Sequence, residues 1–166
     1  IKNQKNSLLV KPMKYGVISG GKKIRSTIIF EAGKIFNLKE KQLINICAAV
    51  ECIHSYSLIH DDLPCMDNDL IRRGKPSTHV KFGEASAVLA GSSLLTLAFE
   101  IIADRKYLLN PKTKNEIIRS LASCSGHTGI AGGQELDLKF ENKKKKLNQI
   151  IDMQKKKTGK LFNFCL

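Results

Sequence analysis

Acidic side chains are scarce in this sequence: 15 Asp and Glu stand against 28 Lys and Arg, a formal net charge of +13. A surplus of that size raises a nucleic-acid phosphate backbone as a partner. Aromatics are scarce as well, at 6% of residues, and none is interleaved with the lysine runs Lys143–Lys146 and Lys155–Lys157. The stacking platforms of a nucleic-acid groove are therefore missing, and no nucleic-acid partner is expected. The first run reads as a solvated face. The second leads directly into Lys157-Thr158-Gly159.

Other absences narrow the class further. No run of eighteen apolar residues occurs, so no stable membrane insertion is expected. The five cysteines, at 47, 52, 65, 124 and 165, form no CxxC pair and no zinc spacing, and an odd number does not suit a disulfide framework. Reduced thiols in a cytoplasmic protein are the simpler expectation. Cys65 has acidic neighbours, which do not activate a thiol, and it receives no catalytic role. Sustained period-two alternation is lacking, as is any internal repeat. With 166 residues, 42% of them hydrophobic, the chain can bury a sizeable core, and the expected fold is an all-α bundle.

What acid there is concentrates in one place. His60-Asp61-Asp62-Leu63-Pro64-Cys65-Met66-Asp67-Asn68-Asp69 carries four carboxylates within nine residues and is followed by Arg72-Arg73-Gly74. Such carboxylates repel one another unless a cation sits among them, and the two arginines can hold an anion beside that cation. On an unbroken helix Asp61 and Asp67 would lie about 600° apart, on different faces. Pro64 supplies the bend that could bring Asp61, Asp62 and Asp67 together. Oxygen-only ligands beside arginines suit Mg²⁺, which keeps several waters and shares its shell with substrate phosphates.

Around this stretch the chain reads as helices. A short one, Leu8 to Val17, closes at Ser19-Gly20-Gly21, whose glycines allow a tight turn and close backbone approach to a ligand. Lys22, Lys23 and Arg25 then open an apolar helix from Ile24 to Phe36, and an anion there would relieve the conflict between cations and the positive helix end. Lys39 to His60 is amphipathic, with His54 two turns before Asp61 on the same face. Glu84 to Ala103 reads as a buried helix and Lys114 to Ser125 as another after the break at Asn110-Pro111. Gly126, Gly129, Gly132 and Gly133 precede Gln134 and Asp137. No strand comes before them, so a dinucleotide loop is excluded and close helix packing is the expected role. Leu147 to Leu166 completes the set.

HDDLPCMDND followed by RRGKPSTHVKFGEA resembles the first aspartate-rich motif of the isoprenyl diphosphate synthases, in the DDxxxxD form of bacterial farnesyl-type and plant geranylgeranyl-type members. Gly20-Gly21-Lys22-Lys23-Ile24-Arg25 is similar to the family's GGKRxRP, Gly132-Gly133-Gln134-Glu135-Leu136-Asp137 to its GGQxxD, and Lys157-Thr158-Gly159 to its KTG. All four stand in the family's order. Ser26 replaces the usual Pro, and Lys160 stands where a small residue is common, a departure expected to crowd the pocket.

The resemblance implies an isoprenoid-synthase helical bundle around a cavity, here as one partial polyprenyl synthetase domain over residues 1–166. The chain opens on Ile1 and stops at Leu166 inside an apparent helix, so a fragment is expected; no acid follows Asp152, so the part that carries the family's second aspartate-rich motif is expected to be missing, and without that half of the metal clamp the 166 residues alone are expected not to turn over. It implies a Mg²⁺-dependent prenyltransferase joining isopentenyl diphosphate head to tail to dimethylallyl or geranyl diphosphate, in a homodimer. By the same resemblance Asp61, Asp62 and Asp67 would hold the metal, and Arg72, Lys157 and Thr158 would meet the allylic diphosphate. Lys22, Arg25, His54 and Arg73 would bind isopentenyl diphosphate, with Gln134 and Asp137 on the helix wall. Tyr56, five residues before Asp61 and beside the small Ser57, would stop the growing tail at fifteen carbons, as farnesyl diphosphate, with geranylgeranyl diphosphate as the alternative. Readings of other classes are a basic nucleic-acid-binding module, which leaves the aspartates unexplained, and a non-catalytic partner subunit, against which the intact aspartates and arginines argue.

Overall fold

The computed structural model describes residues 7–107 and 109–166. These residues form helices α1 (Val10–Ile18), α2 (Ile24–Ile35), α3 (Glu40–Asp61), α4 (Thr78–Phe82), α5 (Glu84–Ala103), α6 (Pro111–Ser125), α7 (Ile130–Phe140), α8 (Leu147–Gln154) and α9 (Lys160–Phe164). Two two-residue strands, β1 (Ile71–Arg72) and β2 (Lys75–Pro76), make the sheet among the described residues. The all-α expectation therefore holds, apart from this hairpin.

The chain divides into two compact units. One comprises the segment that ends at Lys23 together with Glu51–Ala98, and the other Ile24–Val50 with Phe99–Leu166. In the first, the second half of α3 is the core element: Ile53 is fully buried and Cys52, Tyr56 and Ile59 nearly so. On α5, Ala87, Ala90, Leu94, Leu97 and Ala98 are buried, a stripe at spacings of three and four that gives the helix one apolar face. Gly16 on α1 admits Ile59 closely, since a Cβ there would stand 2.4 Å from the Ile59 Cδ1.

The hairpin is docked by one side chain of α1. The Tyr15 hydroxyl donates to the Pro76 carbonyl at 2.6 Å, and its ring meets Phe82 edge-on at 5.3 Å between centroids. Ile71 pairs with Pro76 and Arg72 with Lys75, so the turn has two residues, Arg73 at φ 54° and Gly74 at φ 72°. Positive φ at both positions is the turn geometry whose twist matches a hairpin. Strands this short carry no alternation, which is why the stretch reads as loop from sequence.

In the second unit, α6 begins at Pro111 rather than at Lys114. Asn110 Oδ1 accepts from the Lys112 amide at 2.8 Å, and proline in a first turn sacrifices no helical bond, so the expected break is a helix start. The last segment departs further from expectation. Instead of one helix over Leu147–Leu166, α8 runs into a π-helical turn over Lys155–Gly159 before α9 resumes. Gly133 of α7 is the seat of that turn, since a Cβ there would stand 2.2 Å from the Lys157 amide nitrogen. Close packing is thus what the glycine run provides here.

By length and composition α3 and α5 could each cross a membrane, with mean hydropathies of 1.2 and 1.7 over their most apolar eighteen residues. Most of that stretch of α3 is buried among its own neighbours, as in the core helix of a globular unit.

Candidate active site

The aspartate stretch begins where α3 stops. The Leu63 amide donates to His60 at 3.1 Å and the Asn68 amide to Leu63 at 3.1 Å, a turn around Pro64, with Asn68 at φ 52°. This fold-back returns the chain to the helix end, where the Asp67 amide donates to the Asp61 carbonyl at 2.9 Å. The bend expected at Pro64 is present, and Asp61 and Asp67 are backbone neighbours.

Asp62 points elsewhere. Successive residues on a helix diverge by about 100°, and the Asp62 carboxylate, 3% exposed, is turned into the unit. There Oδ1 accepts from Arg72 Nε at 2.8 Å and from Arg72 Nη2. Burial raises the Asp62 carboxyl above its ordinary value, and the two guanidinium donors draw it part of the way back. The same hydrogen bond holds Arg72 charged. Arg72 Nη2 also donates to Asp69 Oδ2 at 2.6 Å. Among the described residues no three His, Cys, Asp or Glu side chains form a metal-binding group; the Asp62 carboxylate is held by Arg72 instead. Asp61 and Asp67 bring carboxylates to one helix end, a donor set that fits a hard dication, since Mg²⁺ needs only one or two carboxylates besides phosphate oxygens.

A second cluster in the same unit gathers around Arg73. Its Nη1 donates to the Gly20 carbonyl at 2.6 Å, and Nη2 lies 3.4 Å from His54 Nε2. Gly21, at φ +100°, is where the guanidinium passes, because a Cβ there would stand 2.7 Å from the Arg73 Cζ. Gly21 therefore allows a close approach, of an arginine rather than of the ligand expected, while Gly20, at φ +96°, serves the turn. Lys22 is exposed beside them. Lys23 is engaged structurally, donating to the Val17 carbonyl at 2.8 Å and to Glu51 Oε2 at 3.0 Å, so a protein carboxylate answers one of the cations before α2. Tyr56 and Ser57 are both buried on α3, and Ser57 Oγ donates to the His54 carbonyl at 3.0 Å.

The remaining candidates lie in the second unit. Lys157, in the π turn, is paired with Asp137 of α7 through Nζ and Oδ2. Gln134, one turn earlier on α7, is buried at 3% exposure, and Thr158 is half-buried. The Arg25 guanidinium lies over the Phe162 ring at 4.5 Å, a cation–π contact that leaves a planar group oriented. Lys160, expected to crowd the site, is exposed.

Several partners went unnoticed in the sequence. Asp69 at three residues from Arg72 is a spacing that could have been read, and Glu51 is an acid on an otherwise apolar helix face, which signals a cation nearby. Phe162 beneath Arg25 and Gly20 beneath Arg73 have no local signal.

The profile of the polyprenyl synthetase family matches residues 6–166, and the chain belongs to that family. It is 46% identical over 157 residues to the farnesyl diphosphate synthase of Escherichia coli (strain K12), covering 94% of this chain and 52% of that protein. With the farnesyl diphosphate synthase of Bacillus subtilis (strain 168) it shares 42% over 159 residues, 95% of this chain and 54% of that one. Among solved structures, an FPP/GFPP synthase from Zymomonas mobilis in its apo form superimposes with a TM-score of 0.92 at 46% identity, over 95% of this chain and 58% of that one. A geranyltransferase from Legionella pneumophila gives a TM-score of 0.93 at 39% identity, over 96% and 57% of the two chains. The chain spans about half the length of the curated relatives it matches.

Proposed function

We propose that this chain carries the first aspartate motif and the isopentenyl diphosphate pocket of a prenyltransferase that makes farnesyl diphosphate from isopentenyl diphosphate and dimethylallyl or geranyl diphosphate. The observation that carries the reading is the grouping, within one unit, of Asp61 and Asp67 at the end of α3 with the Arg73, His54 and Gly20-Gly21 cluster. Its farnesyl-type relatives support it, as does the family to which the chain belongs.

Arg73, with His54 and the exposed Lys22, offers donors to one diphosphate; Arg25 is assigned to the same substrate. Holding isopentenyl diphosphate in place is a positioning contribution, which turns a two-substrate encounter into a local one. Arg72, Lys157 and Thr158 are assigned to the allylic diphosphate, with Asp137 holding Lys157 and Gln134 on the same helix wall. Mg²⁺, held by Asp61 and Asp67 and helped by Asp62, supplies positive charge to the departing diphosphate when bound. The apolar side chains before Asp61 on α3 shield the allylic cation from water, and Tyr56 ends the tail at fifteen carbons. A longer, geranylgeranyl product is the second reading, and Tyr56 decides between them. We place the activity in the cytoplasm, in a homodimer.

The test uses the full-length gene product, assayed with both substrates and Mg²⁺ and with products separated by chain length. Asp61→Ala is expected to lower kcat by roughly a hundredfold or more while the KM for isopentenyl diphosphate stays within about twofold, because the carboxylate acts on the leaving group in the transition state. An unchanged turnover rate refutes the assignment.

A further inference from the structure

Tyr56 does not stand alone on α3. His60, four residues on and on the same face, meets its ring edge-on, with centroids 5.6 Å apart and planes at 88°. His60 is itself held from the other side, its Nε2 lying 3.0 Å from the Val88 carbonyl of α5. A carbonyl only accepts, so Nε2 carries the proton and donates. The ring reaches that carbonyl by passing over Gly91: a Cβ built there would stand 2.2 Å from Nε2 and 2.4 Å from Cδ2. Glycine inside a helix is unfavourable, and Gly91 has no positive φ to justify it. The approach of the imidazole is what the missing side chain permits.

We propose that His60 is the positioning residue for Tyr56, and that Gly91 is its seat, so that product length is set by a three-residue lock of which only Tyr56 faces the tail. The inference rests on Tyr56 being the chain stop. The argument is geometric. A tyrosine ring on a helix can swing about χ1 and χ2 unless a neighbour occupies the alternative space, and a neighbour that can itself swing is no constraint. Here the imidazole is fixed by a hydrogen bond to backbone and by its close seat on Gly91. In its T-shaped contact it presents a rigid wall to Tyr56. Releasing His60 releases the stop without removing it.

The experiment measures product length in the full-length enzyme for wild type, Tyr56→Ala, His60→Ala, His60→Gln and Gly91→Ala, with folding checked by thermal melting. The expected result is longer products for Tyr56→Ala, and for His60→Ala and Gly91→Ala a roughly tenfold rise in the ratio of twenty-carbon to fifteen-carbon product. His60→Gln, whose amide can still donate to the Val88 carbonyl, returns the ratio toward wild type, a rescue that a merely structural role does not predict. If Tyr56→Ala lengthens the product while folded Gly91→Ala and His60→Ala keep the wild-type distribution, the lock is overturned and the stop survives. If Tyr56→Ala changes nothing, the stop itself fails and the lock with it.

Discussion

Arg73 and Gly20, separated by 53 positions in the chain, are joined by a hydrogen bond of 2.6 Å from the guanidinium to the carbonyl oxygen. The arginine leaves its hairpin at a turn position with φ 54° and reaches the glycine turn that precedes α2. Two local irregularities, each costly alone, are thereby made to support one another, and the donors left over on Arg73 are presented in a fixed plane.

Gly21→Ala tests that arrangement. The residue sits at φ +100°, and its Cβ would stand 2.7 Å from the Arg73 Cζ. The expected outcome in the full-length enzyme is a loss of about 1 kcal/mol in stability. The KM for isopentenyl diphosphate should rise about tenfold with little change in kcat, the signature of lost ground-state binding. Steady-state kinetics check this, and an unaltered KM sinks the role given to Arg73.

Arg72→Ala leaves a carboxylate that is 3% exposed without its partner. Breaking a buried pair in this way costs up to about 3–5 kcal/mol, nearer the lower figure because a third of Arg72 faces water. The double variant Arg72→Ala/Asp62→Asn should recover much of the loss, because the charge that needed pairing is gone. Urea unfolding measures both, and a double variant no more stable than the single one contradicts the account.

The pH dependence of that variant has a defined sign. Burial raises the folded pKa of Asp62 above 3.8, so the stability linked to this group is fully present below its unfolded pKa. It is lost as pH rises through the folded value. Removing Arg72 takes away the donors that oppose burial, so stability of Arg72→Ala should fall with rising pH more steeply than that of wild type. Parallel curves would exclude Asp62 as the group responsible.

Thiol reactivity reports on the core directly. Cys47, Cys52, Cys124 and Cys165 are buried and Cys65 is exposed; burial pushes the Cys52 thiol up to about 11 and raises that of Cys124. At a pH of about 8 a thiol reagent should modify Cys65 in the native protein and leave the other four untouched, since the thiolate is the reactive form. Mass spectrometry of the labelled chain decides it, and rapid labelling of Cys52 contradicts the burial described.

Much of this molecule could be read before it was folded, for reasons that differ by element. The span Glu84–Ala103 coincides with α5 because its apolar stretch is long and begins after Gly83, at φ 87°. The turn at Pro64 was legible because proline leaves few alternatives. The pairing of Asp62 with Arg72 was not legible, because a list of acids in sequence does not say which way adjacent helical residues point, and the direction differs by about 100°. Arg25 over Phe162 depends on residues far apart in the chain, where no spacing rule applies. The hairpin was too short to declare a period.

The π turn at Lys155–Gly159 has a consequence for the surface beyond it. Met153, Leu161 and Cys165 are all buried, at 5%, 1% and 3% exposure. Eight residues at about 100° each would leave Leu161 about 80° around the axis from Met153, off its stripe. A turn closed i→i+5 takes in one residue more than an α turn and so cancels roughly that offset, returning Leu161 to the line of Met153. The bulge is in this sense a phase correction for one supernumerary residue. A chain one residue shorter between Gln154 and Lys157 would keep its apolar line as a regular helix and lose the swelling that lays Lys157 against Gly133. Helix phase and the placing of that lysine are therefore tied to this one turn.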